Sequence, residues 1–340
     1  MLKNNSHKAV IIWLLTGCAL IFLMVVIGGI TRLTESGLSM VDWKLFMGMV
    51  PPLSEQDWLE TFNQYKQFPE YKEVNFMFTL EEFKSIFFWE YLHRLIGRLI
   101  GMIFIIPFVY FLIKKEITGK LIGQCTIILS MGAFQGFLGW WMVKSGLIDN
   151  PDVSHYRLAV HLIAAFLTFA YTFWVALSLI YKAEERPNVP FLRKWVSVLF
   201  ALVVIQIIYG AFVAGLNAGF IMNTYPKMGD SWFPESIIAM KPLWVNFIDG
   251  ISGVQFMHRI LAHVVVGLVL FILLKSSQFE INKIQKNGLI AILVIVFMQF
   301  MLGVFTLLYA VPVWLGVTHQ VGAFFLLGTV VYSLSSLRKG

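Results

Sequence analysis

The chain has 340 residues, 58% of them hydrophobic and only 13% charged, with a mean hydropathy of +0.76. The apolar residues fall in blocks of about 20, the length that spans roughly 30 Å of hydrocarbon; this excludes a water-soluble globule and predicts an integral membrane protein. The net charge of +7 and pI near 9.3 come from basic residues gathered on one side of the predicted spans, which argues against nucleic-acid binding.

In chain order the spans cover about residues 10–30, 86–113, 119–143, 157–181, 194–216, 254–274, 287–309 and 312–335, separated by charged or Gly/Pro-containing turns. The first follows Lys3 and Lys8 and ends in GGITRL, without a small-x-small cleavage pattern, so it reads as a retained anchor. With the N-terminus inside, the inner segments carry 14 Lys/Arg against 4 Asp/Glu, and the outer segments 9 against 14. Basic residues collect in the cytoplasm, so both termini are expected there, in a bacterial inner membrane. Two long outer segments, 31–85 and 217–253, are rich in Pro, Trp and Phe and are expected to form short interfacial helices. Cys18 and Cys125 fall inside spans, which leaves no outer-loop disulfide.

The second half repeats the plan of the first. Residues 27–40 align without gaps to 209–222, matching Gly28 with Gly210 and Met40 with Met222; EYLHRL at 90–95 matches QFMHRI at 255–260. Further along, QGFLG at 135–139 matches QFMLG at 299–303, and HLIAAF at 161–166 matches HQVGAF at 319–324. Each half is therefore expected to be a four-helix unit, 1–190 and 191–340. Four is even, so the two share one orientation, as parallel repeats do. The fold class is an all-α membrane protein of eight transmembrane helices in two pseudo-symmetric four-helix bundles.

Four of the seven histidines, His93, His161, His258 and His319, occupy one layer of the even-numbered spans, roughly 6–10 Å below the outer boundary. Two belong to each half. Facing imidazoles from a four-helix bundle are a standard way to hold heme iron, whereas zinc prefers four ligands at one point. His7, His155 and His263 lack this symmetry, although His155 stands near where a site would open. Arg94 and Arg259 follow two of the candidate ligands in equivalent positions and are candidates to bind heme propionates. Arg98 adds a further cation to the second span. Glu90 lies one turn before His93, where the second half has neutral Gln255. An acid in one half only points to proton chemistry there, while the other half holds a cofactor and passes electrons.

The E-x-x-H-R-x-x-G run of Glu90, His93, Arg94 and Gly97 resembles the signature of the heme A synthase family. The segments GGITRLTESGLSMVDW, NTYPKMGDSWFP, GWWMVKSGL and HYRLAVHL are similar to it as well. The resemblance covers all eight spans, and the lack of an outer-loop cysteine pair resembles the proteobacterial and mitochondrial branch. It implies oxidation of the 8-methyl group of heme O to a formyl group, with oxygen from water. It implies substrate iron held between His93 and His161, catalysis involving Glu90, and a cofactor heme b on His258 and His319. Implied partners are heme O, the heme O synthase that supplies it, an electron acceptor and membrane lipid, with a homo-oligomer allowed. A diheme b-type cytochrome relaying electrons from a quinol fits the same four ligands, and a transporter fits only the repeat.

Overall fold

The computed structural model describes residues 5–41, 50–147, 151–181 and 187–338. Of the charges used to orient the chain, Lys3, Asp42, Lys44, Asp149, Lys182, Glu184, Glu185, Arg186 and Lys339 lie outside these residues, as does Trp43 of the first loop motif. Among the described residues the fold is helical: α1 (Asn5–Leu33), α2 (Glu55–Tyr65), α3 (Leu80–Ile113), α4 (Lys120–Gly146), α5 (His155–Ile180), α6 (Pro190–Gly215), α7 (Ile251–Ser276), α8 (Lys283–Leu308) and α9 (Val313–Ser336). All except α2 are long and apolar enough to cross a membrane, giving eight spans of a multi-pass membrane protein.

Local chemistry sets the ends. Thr79 caps α3 by accepting from the Glu82 N–H while the Glu82 carboxylate accepts from the Thr79 N–H, so the helix starts six residues before its apolar run. Asn282 and Gln285 form the same reciprocal cap on α8, and Pro190 opens α6 where its missing N–H costs nothing. The chain leaves α1 and α6 alike, through left-handed residues Glu35 (φ 50°) and Asn217 (φ 52°).

The principal contacts trace two closed rings of four helices, α1–α3–α4–α5 and α6–α7–α8–α9. Between the rings, α1 meets α9, α5 meets α6, and α5 meets α9. One hydrophobic core runs through this junction, from Cys18 and Val25 of α1 and Phe166 and Phe169 of α5 to Leu199, Val269, Leu289 and Phe324. Phe166 packs edge-on against Phe324 with ring centroids 5.6 Å apart. Cys18 and Cys125 are free and buried.

The long loops cap the same end of the bundle. Over the first ring, amphipathic α2 carries Phe62 and Tyr65 onto Phe83 and Phe87, on the early turns of α3, with rings stacked at 5.0 Å for both Phe62–Phe83 and Tyr65–Phe83. A short helix, as expected for this segment, is thus present there. Over the second ring the chain makes only 3-10 turns, at Ala218–Phe220, Glu235–Ile238 and Leu243–Phe247.

Candidate functional site

Each of the four layered histidines faces a glycine on a neighbouring helix. A Cβ added to Gly28 of α1 would stand 3.2 Å from Nε2 of His93 on α3, and one on Gly210 of α6 would stand 3.4 Å from Cε1 of His258 on α7. The corresponding distances are 3.4 Å from Gly139 of α4 to His161 on α5 and 2.8 Å from Gly303 of α8 to His319 on α9. Four bare backbone patches therefore make room for four imidazoles. The glycines were visible in the repeat as matched pairs; their purpose needed the ring positions.

The histidines come as pairs. His258 and His319 stand with ring centroids 6.4 Å apart and planes at 81°. Two imidazoles on opposite sides of one metal ion, with bonds of about 2 Å, would have their centroids roughly this far apart. His93 and His161 are near enough to interact electrostatically. Nδ1 of His161 and Nδ1 of His319 are buried without a hydrogen-bond partner among the described residues, a costly condition for an imidazole unless a missing group completes it. No cluster of three or more His, Cys, Asp or Glu side chains suited to a metal occurs among the described residues. Paired imidazoles and glycine clearances together fit a heme iron that the two histidines of each pair would hold.

Glutamines brace two of the four histidine helices. Gln135 donates to the His161 carbonyl at 3.3 Å, and Gln206 donates to the His258 carbonyl at 3.0 Å while its amide nitrogen lies 3.2 Å from the His258 ring. The side-chain oxygen of Gln299, the repeat partner of Gln135, is buried without a partner among the described residues.

Toward the cap, Glu90 is held by three donors: the Ser39 hydroxyl at 2.7 Å, the Met40 N–H at 2.7 Å, and the Arg94 guanidinium one turn away. Arg94 also donates to the Met40 carbonyl at 2.8 Å, and both charged side chains are almost fully buried. The second half repeats the clamp with different chemistry. Arg259 donates to the Met222 carbonyl at 2.8 Å, to Thr224 at 2.9 Å and to Lys227 at 3.1 Å, while Gln255 donates to the Ala218 and Ile221 carbonyls. Both arginines thus tie down the loop that follows α1 or α6, a role sequence reasoning missed because carbonyl partners leave no residue-type signal. Arg259 keeps a buried Nε–H without a partner among the described residues, which leaves it a donor for an anionic group.

The remaining cations and histidines lie outside the pairs. His7 falls in the first turns of α1. His155 bonds the Ile248 carbonyl at 3.0 Å and approaches Asp249 at 3.3 Å, linking the start of α5 to the second loop. His263 is exposed and engages the Arg259 carbonyl and the Tyr225 hydroxyl. Arg98 follows Arg94 by one turn on α3.

The fold and site define a multi-pass helical membrane protein with a pair of half-buried imidazoles in each ring of helices. Residues 11–331 match the COX15-CtaA family model, described as cytochrome oxidase assembly protein. The chain is 58% identical over 342 aligned residues to the heme A synthase of Flavobacterium psychrophilum, covering 99% of this chain and 100% of the relative. It is 54% identical to that of Flavobacterium johnsoniae, at 99% and 100% coverage, and 44% identical to that of Nitrosospira multiformis, at 99% and 96%. The chain belongs to the heme A synthase family.

Proposed function

We propose that the protein converts heme O to heme A for terminal oxidase assembly, oxidising the 8-methyl group to a formyl group. The observation that carries this is full-length similarity to heme A synthases in a chain that places an acid, Glu90, one turn from His93 in the first half and neutral Gln255 at the matching position of the second. The ring contacts support two four-helix units, 1–190 and 191–340. Exchanging the units swaps the α1–α9 and α5–α6 contacts and maps α5–α9 onto itself, as a twofold axis requires. The charge distribution supports an inner-membrane protein with both termini in the cytoplasm and the cap outside.

In this reading His93 and His161 would hold the iron of the substrate, and Glu90, one turn from His93, is the acid that acts in the reaction. With three donors on its oxygens, Glu90 is fixed in place as an anion. It is suited to stabilising positive charge that develops on the methyl carbon before water attacks, and to receiving a proton from that water. The second half holds heme b through His258 and His319, with the free Nε–H of Arg259 available to a propionate; when bound, heme b supplies one-electron redox chemistry. Arg94 serves the substrate by locking Glu90 and the Met40 loop. Heme O synthase as donor and a separate electron acceptor complete the reaction.

The test is co-expression with heme O synthase in a host lacking heme A, followed by chromatography of the extracted hemes. Heme A in the extract is the expected result. Two equivalents of heme b with no heme A would instead make the protein an electron relay.

A further inference from the structure

Glu90 and Glu70 are the two buried acids among the described residues, and both belong to the first half. Glu70 opens a single π-helical turn, Glu70–Val74, between α2 and α3. It is 5% exposed, and its Oε2 has no hydrogen-bond partner among the described residues. The Tyr65 hydroxyl accepts from the Asn75 amide at 2.8 Å and lies near enough to the Glu70 carboxyl to favour its charged form; Tyr65 and Asn75 are buried as well. Tyr65 stacks on Phe83, which precedes Glu90 by seven residues, two turns along the same face of α3 and about 10 Å of helix. Tyr65 thus lies on the cap side of α3 two turns from Glu90, and the Glu70 carboxyl is near enough to feel the charge of Glu90.

We propose that Glu70 is the proton-exit group of the first-half site, taking up protons released beside Glu90 and handing them to water at the capped face. This rests on the heme A synthase reading, because inserting a water oxygen into a C–H bond, with two electrons going to the reaction's own acceptor, frees two protons. The step at Glu70 moves no electrons: an O–H bond forms at the unpartnered Oε2 and later breaks to water. A carboxyl that both accepts and releases must titrate near the working pH. Burial pushes Glu70 up to about 8; the nearby Tyr65 hydroxyl opposes this, and the charges of Glu90 on α3, Glu35 after α1 and Asp152 before α5 add to it. Glu70 is a relay and not a catalytic residue, since it does not touch the reacting methyl.

The experiment follows heme A formation from about pH 6 to about pH 9 in membranes carrying the full-length protein and heme O synthase, with heme b content measured in parallel. Wild-type rate should climb as pH rises through the Glu70 titration. Glu70→Gln should lose at least about tenfold in rate and the climb with it, at unchanged heme b, and Glu70→Asp should restore the climb. Tyr65→Phe keeps the carboxyl but removes the hydroxyl that lowers it, so the climb should move to higher pH; this variant decides the matter if Glu70→Gln does not accumulate. A Glu70→Gln protein that keeps the climb, at full or reduced rate, overturns the proposal, as does a Tyr65→Phe profile that stays in place. Absence of heme A from the wild type would sink the synthase reading and this proposal with it, a result distinct from failure of the variants alone.

Discussion

The two halves hold their histidines in the same way and differ in the layer above them. In the first half the loop offers donors, the Ser39 hydroxyl and the Met40 N–H, to a carboxylate. In the second the matching stretch offers acceptors, the Ala218 and Ile221 carbonyls, to the Gln255 amide. Ser39 and Ile221 are equivalent in the repeat, so the polarity of the loop has been reversed along with the side chain it meets. Glu90 is therefore an anion in surroundings made for one, and the difference between the halves cannot be undone by one substitution.

The sharpest break in the comparison is Glu90→Gln, which keeps the shape and removes the charge. Heme A formation should fall by about 100-fold or more, with heme b content retained; normal heme A in extracted pigments would refute the role of the charge. Arg94→Gln comes next, because it leaves a buried carboxylate uncompensated, at a cost of about 3–5 kcal/mol. Arg259→Gln should cost less, since its partners are neutral carbonyls, and thermal unfolding of the two variants in detergent compares them. Gly303→Ala forces a methyl to 2.8 Å from His319 and should weaken heme retention by about 1–3 kcal/mol. Gly210→Ala, at 3.4 Å from His258, should do less, as read from bound heme per protein.

The smallest effect is expected in the cap. The Glu70 carboxyl sits higher in the fold, at about 8, than its ordinary value of 4.5. The folded cap therefore holds its proton where an unfolded cap has lost it. Its contribution to stability is complete below the ordinary value and is lost as pH rises through the folded one. Hydrogen exchange in α2 should accordingly be faster at about pH 9 than at about pH 6 once the intrinsic pH dependence is removed, and Glu70→Gln should abolish the difference.

Much of this was legible beforehand. The eight spans follow from apolar length, and the helix pairs that bring histidines together follow from the repeat. The early start of α3 was missed because LEEFKS is amphipathic; Phe83, Ile86 and Phe87 bury against α2 while the polar positions face out, and Thr79 with Glu82 supplies the cap. The work of the arginines was only half readable. Their cost in a membrane signals a partner, yet Met40 and Met222 supply backbone carbonyls that no residue type announces. Glu70 was one acid among many in the outer segment, and its burial depends on α2 folding down onto α3.

Phe166 and Phe324, each five residues beyond a candidate ligand, meet where α5 crosses α9. That contact acts as a ruler: the spacing of His161 from His319 is measured out by side chains at the centre of the bundle, and changes in loop length can accumulate without altering it.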